Sequence, residues 1–202
     1  MEKHIYEAKT LEDAKNKAMY ELNVNEEDAV FNILEEKSSL FSKNVKIEVV
    51  TMEEVVTYIK NMITEIMKLM NVDAKLEVKR RDNTISVRLF SDNNAILIGK
   101  NGRTIGALQL LIRQMIHNNV SHDIQVVLDV ENYKEKKMKN IEYLAKKVAR
   151  EVRNTKVEVK LDSMNSYERR IVHSVLSDNK YVYTESVGEE PNRCVVIKPK
   201  EE

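Results

Sequence analysis

The sequence predicts an α+β fold divided into three small domains, at residues 1–50, 51–131 and 132–202. Two observations support this class. Apolar residues recur every three or four positions in some segments and at every second position in others, which predicts amphipathic helices and half-buried strands within one chain. A length of 202 residues suits two or three domains, and no apolar run approaches the roughly 20 residues of a membrane helix.

The first segment, residues 1–50, has the predicted order β-α-β-β. A short strand is expected at Ile5–Tyr6. Thr10 then precedes an amphipathic stretch, and its hydroxyl can accept a hydrogen bond from the first turn of a helix. Two further strands are expected at Val30–Leu34 and Val45–Val50.

The second segment, residues 51–131, has the predicted order α-β-β-α-α-β. Its first helix carries apolar residues at helical spacing, namely Val55, Ile59, Met62, Ile63, Ile66 and Met70. Strict alternation predicts three strands around Leu76–Val78, Ile85–Leu89 and Ile124–Val130. Between the second and third strands, two apolar helical stretches are joined by Gly99–Gly102.

The third segment, residues 132–202, has the predicted order α-β-α-β-β. Its long first helix should bury a stripe formed by Ile141, Leu144, Ala145, Val148 and Val152. A strand around Val157–Leu161 and a helix at Ser166–Leu176 follow. Two strands, Tyr181–Val187 and Arg193–Ile197, close the chain.

Charge is unevenly distributed along a chain whose formal net charge is zero. Residues 1–50 hold 7 basic and 11 acidic residues, whereas residues 131–202 hold 16 and 13. A polyanionic partner is therefore expected at the C-terminal two-thirds. The basic run Lys134–Lys139 is interpreted as the start of the third domain and as a solvated helix face. A single cysteine and the lack of a signal-peptide pattern predict a cytoplasmic protein.

A glycine-rich loop is the first candidate site. Three of the four glycines fall within eight residues, at positions 99, 102 and 106. Glycine permits tight turns and the close approach of another backbone. We expect backbone N–H groups and a helix N-terminus to face a phosphate here, with positive charge from two side chains. The predicted site residues are Ile98, Gly99, Lys100, Asn101, Gly102 and Arg103.

Other interpretations of this loop are limited by its spacing. It does not fit G-x-x-x-x-G-K-[ST], the phosphate loop of nucleotide-dependent enzymes, nor the dinucleotide fingerprint G-x-G-x-x-G. One alternative stays open, in which the glycines only let two helices pack closely.

The helix predicted at Ser166–Leu176 is the second candidate site. Asn165 is a good N-cap with Glu168 as its capping-box partner. At about 100° per residue, Arg169 and His173 lie together, opposite a face formed by Tyr167, Ile171 and Val175. If that apolar face is buried, Arg169 and His173 are exposed and can contact phosphate. An exposed polar pair without function fits the same spacing.

Taken together, these motifs resemble the Jag (KhpB) family. The second segment resembles a KH domain of the bacterial type II topology, with the signature loop Ile98–Gly102. Arg169-x-x-x-His173, with Arg170 beside it and Gly188–Pro191 downstream, resembles the Jag form of the Arg-x-x-x-His (R-3-H) domain. The first segment resembles the Jag N-terminal domain, although its stretch Ser38–Asn44 lacks the glycines usual there.

The resemblance implies a regulatory protein that binds single-stranded RNA, with single-stranded DNA open as an alternative ligand. It also implies a role in cell elongation, division and cell wall organisation. The implied partners are a small protein with one KH domain, a second copy of the chain, and, indirectly, the membrane-protein insertase, without insertion of this chain into the membrane.

A second interpretation is an adaptor, in which the KH fold mediates dimerisation and the acidic first domain binds a protein. No catalytic residue, cofactor or metal site is expected. His117 and His122 lack further metal ligands at suitable spacing.

Overall fold

The structure is a computed structural model that describes residues 1–38 and 43–200. Its strands are β1 (His4–Ala8), β2 (Ala29–Ser38), β3 (Lys43–Thr51), β4 (Lys75–Arg81), β5 (Thr84–Phe90), β6 (Gln125–Val130), β7 (Val159–Ser163), β8 (Val182–Val187) and β9 (Cys194–Pro199). Its α-helices are α1 (Leu11–Leu22), α2 (Met52–Leu69), α3 (Asn94–Ile98), α4 (Arg103–Asn119), α5 (Tyr133–Thr155) and α6 (Ser166–Leu176). The predicted α+β class and the three predicted element orders are confirmed.

Two compact units divide the chain, one ending at Glu131 and the other beginning at Asn132. The first unit therefore contains both the first and the second predicted segments. The boundary expected between residues 50 and 51 stays a prediction.

The first sheet has the strand order β1-β3-β2, and all its neighbours are antiparallel. Helix α1 covers one face of it, and its N-terminus is capped as predicted, since the Thr10 hydroxyl accepts a hydrogen bond from the Asp13 amide at 3.1 Å. The core between them consists of Tyr6, Ala14, Ala18, Val45, Ile47 and Val49. Residues 39–42, within the glycine-free stretch noted above, lie outside the described residues.

The second sheet has the order β4-β5-β6, with β4 and β5 antiparallel and β5 and β6 parallel. Helices α2 and α4 contact it, and α2 begins with a capping box between Thr51 and Glu54. The largest fully buried side chains here are Ile59, Ile63, Ile85, Leu89, Leu97, Ile112, Ile116, Ile124 and Leu128.

Polar contacts join the first predicted segment to the second within the first unit. The Asn32 amide donates to the Val120 carbonyl at 2.8 Å. The Arg80 guanidinium donates to the Asp28 carboxylate and to the Glu27 carbonyl. Because Arg80 and Asn32 reach across from different segments, these bonds fix the first segment against the second.

The third sheet has the order β7-β9-β8 and is antiparallel throughout. Its core includes Ile141, Ala145, Val148, Ala149 and Val152 of α5 and Val172 and Leu176 of α6. The prediction that Leu144 belongs to the buried stripe is wrong, because it lies on the flank of α5 and is exposed. Cys194 of the central strand is 1% exposed.

Within the described residues, none of the helices combines the length and the apolar character required to cross a bilayer.

Candidate functional site

The glycine loop turns the chain sharply between α3 and α4. Gly99 has φ 68° and Gly102 has φ 83°, values that residues with a side chain rarely adopt. A Cβ atom at Gly99 would lie 2.1 Å from the Thr104 hydroxyl oxygen. The packing explanation left open by the sequence is therefore correct for Gly99, since the fold itself requires a glycine there.

Hydrogen bonds inside the loop use several of its amides. Gly99 N–H donates to the Ala95 carbonyl at 2.9 Å, and Gly102 N–H donates to the Gly99 carbonyl at 3.2 Å. Arg103 N–H donates to the Lys100 carbonyl. The expectation that the loop offers these amides to a phosphate is wrong for all three, because the last turn of α3 and the 3₁₀ turn at Lys100–Gly102 satisfy these donors internally. Positive charge at the loop comes from Lys100 and Arg103, both exposed.

Gly106 has no comparable packing role. It lies in α4, is exposed, and a Cβ built on it meets no atom within 4 Å. Arg103, Gly106 and Leu110 are three and four residues apart and so share one face of α4. Leu110 is 66% exposed. We call this face, together with Lys100, the loop patch. The space at Gly106 is open, and the positive charge lies at the Lys100 and Arg103 end of the loop patch.

Arg169 is buried, and the prediction of an exposed guanidinium is wrong. Only 8% of the residue is exposed. Its Nη1 donates to the Met164 carbonyl at 2.7 Å and to Glu190 Oε1 at 2.8 Å. The Glu190 side chain is itself largely exposed. Arg169 thus ties the start of α6 to the turn between β8 and β9, and a surface carboxylate occupies its outer side.

His173 is half-buried between α6 and β8. Its Nδ1 lies 2.6 Å from the Thr184 hydroxyl and its Nε2 lies 2.8 Å from the Ser186 hydroxyl. Burial, and then the positive charge of Arg169, lower the pKa of His173 below its ordinary value. The imidazole is therefore neutral at pH 7, with one nitrogen donating and the other accepting.

The exposure predicted for Arg169 and His173 is wrong for one reason: α6 is rotated about its axis relative to the orientation expected from the sequence. The face expected to be buried includes Tyr167, which is exposed. Ile171 and Val175 pack partly buried against the core, but the buried positions of α6 are Glu168, Arg169, Val172 and Leu176. Glu168 is held there by the predicted capping box with Asn165 and by an ion pair with Lys137. The predicted proximity of Arg169 and His173 is correct, and Arg170 is exposed.

Glu190, Thr184 and Ser186 are the partners that sequence reasoning did not identify. Glu190 stands in the turn-like stretch Gly188–Pro191, but no spacing rule links it to an arginine 21 residues earlier. The two hydroxyls alternate along β8 and so face the same side.

Comparison with known proteins finds family models along most of the chain. Family models match at residues 6–51 (Jag N-terminus), 53–130 (KhpA/KhpB, KH domain) and 139–199 (R-3-H domain). The RNA-binding protein KhpB of Clostridium symbiosum is 38% identical over 201 residues, covering 96% of this chain and 90% of the relative. The chain belongs to the KhpB family.

Other KhpB proteins show the same likeness. The RNA-binding protein KhpB of Bacillus subtilis is 27% identical over 199 residues, which cover 95% of this chain and 96% of that one. The KhpB protein of Lactiplantibacillus plantarum is 38% identical over 146 residues, or 72% of this chain and 45% of that one. The resemblance found in the sequence is confirmed. The KH family model covers the glycine loop, and the R-3-H family model covers Arg169 and His173. These two parts of the chain are called the KH region and the R-3-H region below.

Proposed function

We propose that this chain binds single-stranded RNA, with the loop patch as its first contact and the surface around Arg170 as its second. The observation that carries the proposal is the open surface at Gly106, set between exposed Lys100 and Arg103 and an exposed apolar residue, Leu110. The relatives are named RNA-binding proteins, which supports the same ligand.

The first contact has the chemistry that a single strand needs. Lys100 and Arg103 are cations that can neutralise phosphates, and the start of the 17-residue helix α4 favours negative charge. Exposed Ile96 and half-buried Ile98 offer an apolar surface at the same place. Proteins recognise single-stranded RNA through its unstacked bases, which can pack against such a surface. The missing side chain at Gly106 leaves room for the strand.

At the second contact, two of the three predicted side chains already have partners that a phosphate would have to replace. Arg170 is exposed and can bind a phosphate directly. Arg169 can do so only if a phosphate takes the place of the Glu190 carboxylate. His173 can offer a hydrogen bond only by giving up one of its two hydroxyl partners. We infer that Arg170 makes the direct contact and that Arg169 and His173 hold the surface in shape.

Binding of a fluorescent single-stranded RNA at several salt concentrations tests the first contact. Lys100→Gln/Arg103→Gln should weaken binding and reduce the log–log salt slope by about 1.4, at about 0.7 per phosphate. Gly102→Asp should also weaken binding, both through the added negative charge and through backbone strain at a residue with φ 83°. The matched control is Lys17→Gln/Lys60→Gln, which removes equal charge from exposed positions on α1 and α2. Equal affinity of all four proteins contradicts the proposal.

The second contact is tested by Arg170→Gln rather than by a joint change of Arg169 and His173. Arg169 and His173 both have hydrogen-bond partners inside the domain. Replacing them would lower the stability of the domain, so a loss of binding could not be assigned to a lost RNA contact. We expect Arg170→Gln to weaken RNA binding by severalfold with unchanged circular dichroism. Parallel titrations with single-stranded DNA of the same sequence would show which nucleic acid the region prefers.

The cellular part of the proposal follows from the family resemblance. We infer a cytoplasmic, non-catalytic regulator of cell elongation and division, with a small single-KH protein as partner and an indirect link to the membrane-protein insertase. RNA sequencing after cross-linking in the native cell, and purification of associated proteins at high salt, test the two halves separately.

One observation favours the adaptor as a second candidate function. Ile96, Leu110 and Leu111, on α3 and α4, are large apolar residues that are each about half exposed or more. Such a surface can bury itself against a second protein. If the chain dimerises through these three side chains, Leu111→Gln should lower the molar mass measured by light scattering. If they contact only RNA, the molar mass should be unchanged.

A further inference from the structure

The solvent face of α5 carries a concentration of positive charge that the proposed contacts do not use. The 23-residue helix contains eight basic and three acidic residues in a chain whose formal net charge is zero. At about 100° per residue, five of the basic residues fall within about 60° of Tyr143. The acidic residues Glu135, Glu142 and Glu151 fall outside that arc. We define the basic strip as Lys136, Lys139, Tyr143, Lys146, Lys147 and Arg150.

Packing of the opposite face fixes the direction of the basic strip. Ile141, Ala145, Val148 and Val152 lie on the far side of α5 and belong to the core of the second unit. Every member of the basic strip is exposed. The strip therefore faces solvent on a rigid helix, and from Lys136 to Arg150 it is about 21 Å long at 1.5 Å per residue.

Tyr143 stands at the centre of the basic strip and is 69% exposed. A tyrosine exposed to this degree adds little to the core. Its ring does, however, present a face on which a nucleobase can stack, which is the contact that sequence-tolerant single-strand binders use. An aromatic ring between cations can therefore contact both parts of a nucleotide, the base by stacking and the phosphate by charge.

Like charges along the strip work against the isolated helix. Lys146 and Arg150 are four residues apart, and Lys147 and Arg150 are three apart, so both pairs repel by a few tenths of a kcal/mol. Lys139 pairs with Glu135 at 2.6 Å, but both side chains are exposed and such pairs exchange readily. A bound polyanion would relieve the repulsion.

We propose that the basic strip is a third contact for single-stranded RNA, with phosphates along the lysines and Arg150 and a base stacked on Tyr143. The inference rests on the proposed function, because it takes RNA as the ligand. An anionic membrane surface fits the strip less well. Helices that lie on membranes insert an apolar face, and the apolar face of α5 is already buried in the core.

The test uses the full chain and a labelled single-stranded RNA of about 20 nucleotides, longer than the site of a single nucleic-acid-binding fold. Lys147→Gln/Arg150→Gln should weaken binding and reduce the salt slope by about 1.4. Tyr143→Ala should weaken binding about fivefold or more while leaving the slope unchanged, since stacking is not ionic. Lys17→Gln/Lys60→Gln is again the control for net charge.

The outcomes separate this inference from the proposed function. If the α5 variants bind like the wild type while Lys100→Gln/Arg103→Gln binds weakly, the basic strip is not a contact and the proposed function stands. If the wild type itself shows no salt-dependent RNA binding, both are overturned. If the wild type binds phosphatidylglycerol vesicles through Lys147 and Arg150, and RNA does not compete, the strip is a membrane contact instead. All changed side chains are exposed, so unchanged circular dichroism is expected throughout.

Discussion

Substituting alanine at two glycines of the KH region should change stability in opposite directions. Gly106 lies inside α4, where glycine costs about 0.5–1 kcal/mol relative to alanine. Its added Cβ meets no atom within 4 Å, so Gly106→Ala should stabilise the first unit by about that amount. Gly99 has φ 68°, and its Cβ would lie 2.1 Å from the Thr104 hydroxyl oxygen. Gly99→Ala should therefore destabilise the same unit by about 1–3 kcal/mol or more.

Hydrogen exchange of α4 peptides in increasing urea measures both effects. The chain has two compact units, so a single global transition cannot be assumed, and peptides from α4 report on the first unit alone. RNA affinity should follow a different order from stability. Gly106→Ala should bind RNA several times more weakly although it is the more stable protein, because its methyl group stands where the strand would lie.

Three results would each refute one part of this reasoning. A destabilised Gly106→Ala would show that the space above Gly106 is not open. A Gly99→Ala protein as stable as the wild type would show that the contact with Thr104 does not constrain the loop. A stabilised Gly106→Ala that binds RNA normally would remove Gly106 from the proposed contact.

Three further outcomes concern the R-3-H region. Arg169→Met should lower the stability of the second unit by about 1–3 kcal/mol in urea unfolding, because the Met164 carbonyl loses its donor; Glu190→Gln, which changes only the exposed side of that contact, should cost less. Since the pKa of His173 is lowered on folding, the unfolded chain binds the proton more readily, so stability should be unaffected at higher pH and fall as pH drops below about 6.5. His173→Gln should flatten that part of the pH profile, and an equally steep profile would contradict the assignment. Asn165→Ala should destabilise α6 by about 1 kcal/mol through loss of its cap, with an unchanged value counting against the capping box.

Local patterns are sufficient to predict the order of elements. Alternation over Ile85–Leu89 and helical spacing from Val55 onward report burial of one face, and burial of one face is what defines these elements. The predicted bounds of helix α6 agree with the structure because Asn165 and Glu168 form a capping box with their own backbone. Signals of this kind depend on residues that are close to one another in the sequence, so they can be recognised from the sequence alone.

Contacts between distant positions could not be predicted in the same way. Glu190 selects the orientation of Arg169 from another part of the chain, and Thr184 and Ser186 do so for His173. The loop amides also differ from expectation, because a glycine turn can direct its N–H groups inward or outward without any change in sequence. For α5 the basic run is visible in the sequence, but its position relative to the buried face requires the packed domain.

Cys194 provides a built-in reporter of opening in the second unit. It is the single cysteine of the sequence, it lies in β9, and its sulphur lies 3.8 Å from the Val187 carbonyl oxygen. Because the side chain is buried, a thiol reagent can reach it only when the structure around β9 opens, so the labelling rate measures the exposure of that strand. A variant that has lost a nucleic-acid contact would label slowly, whereas one whose sheet has come apart would label at the rate of a free thiol.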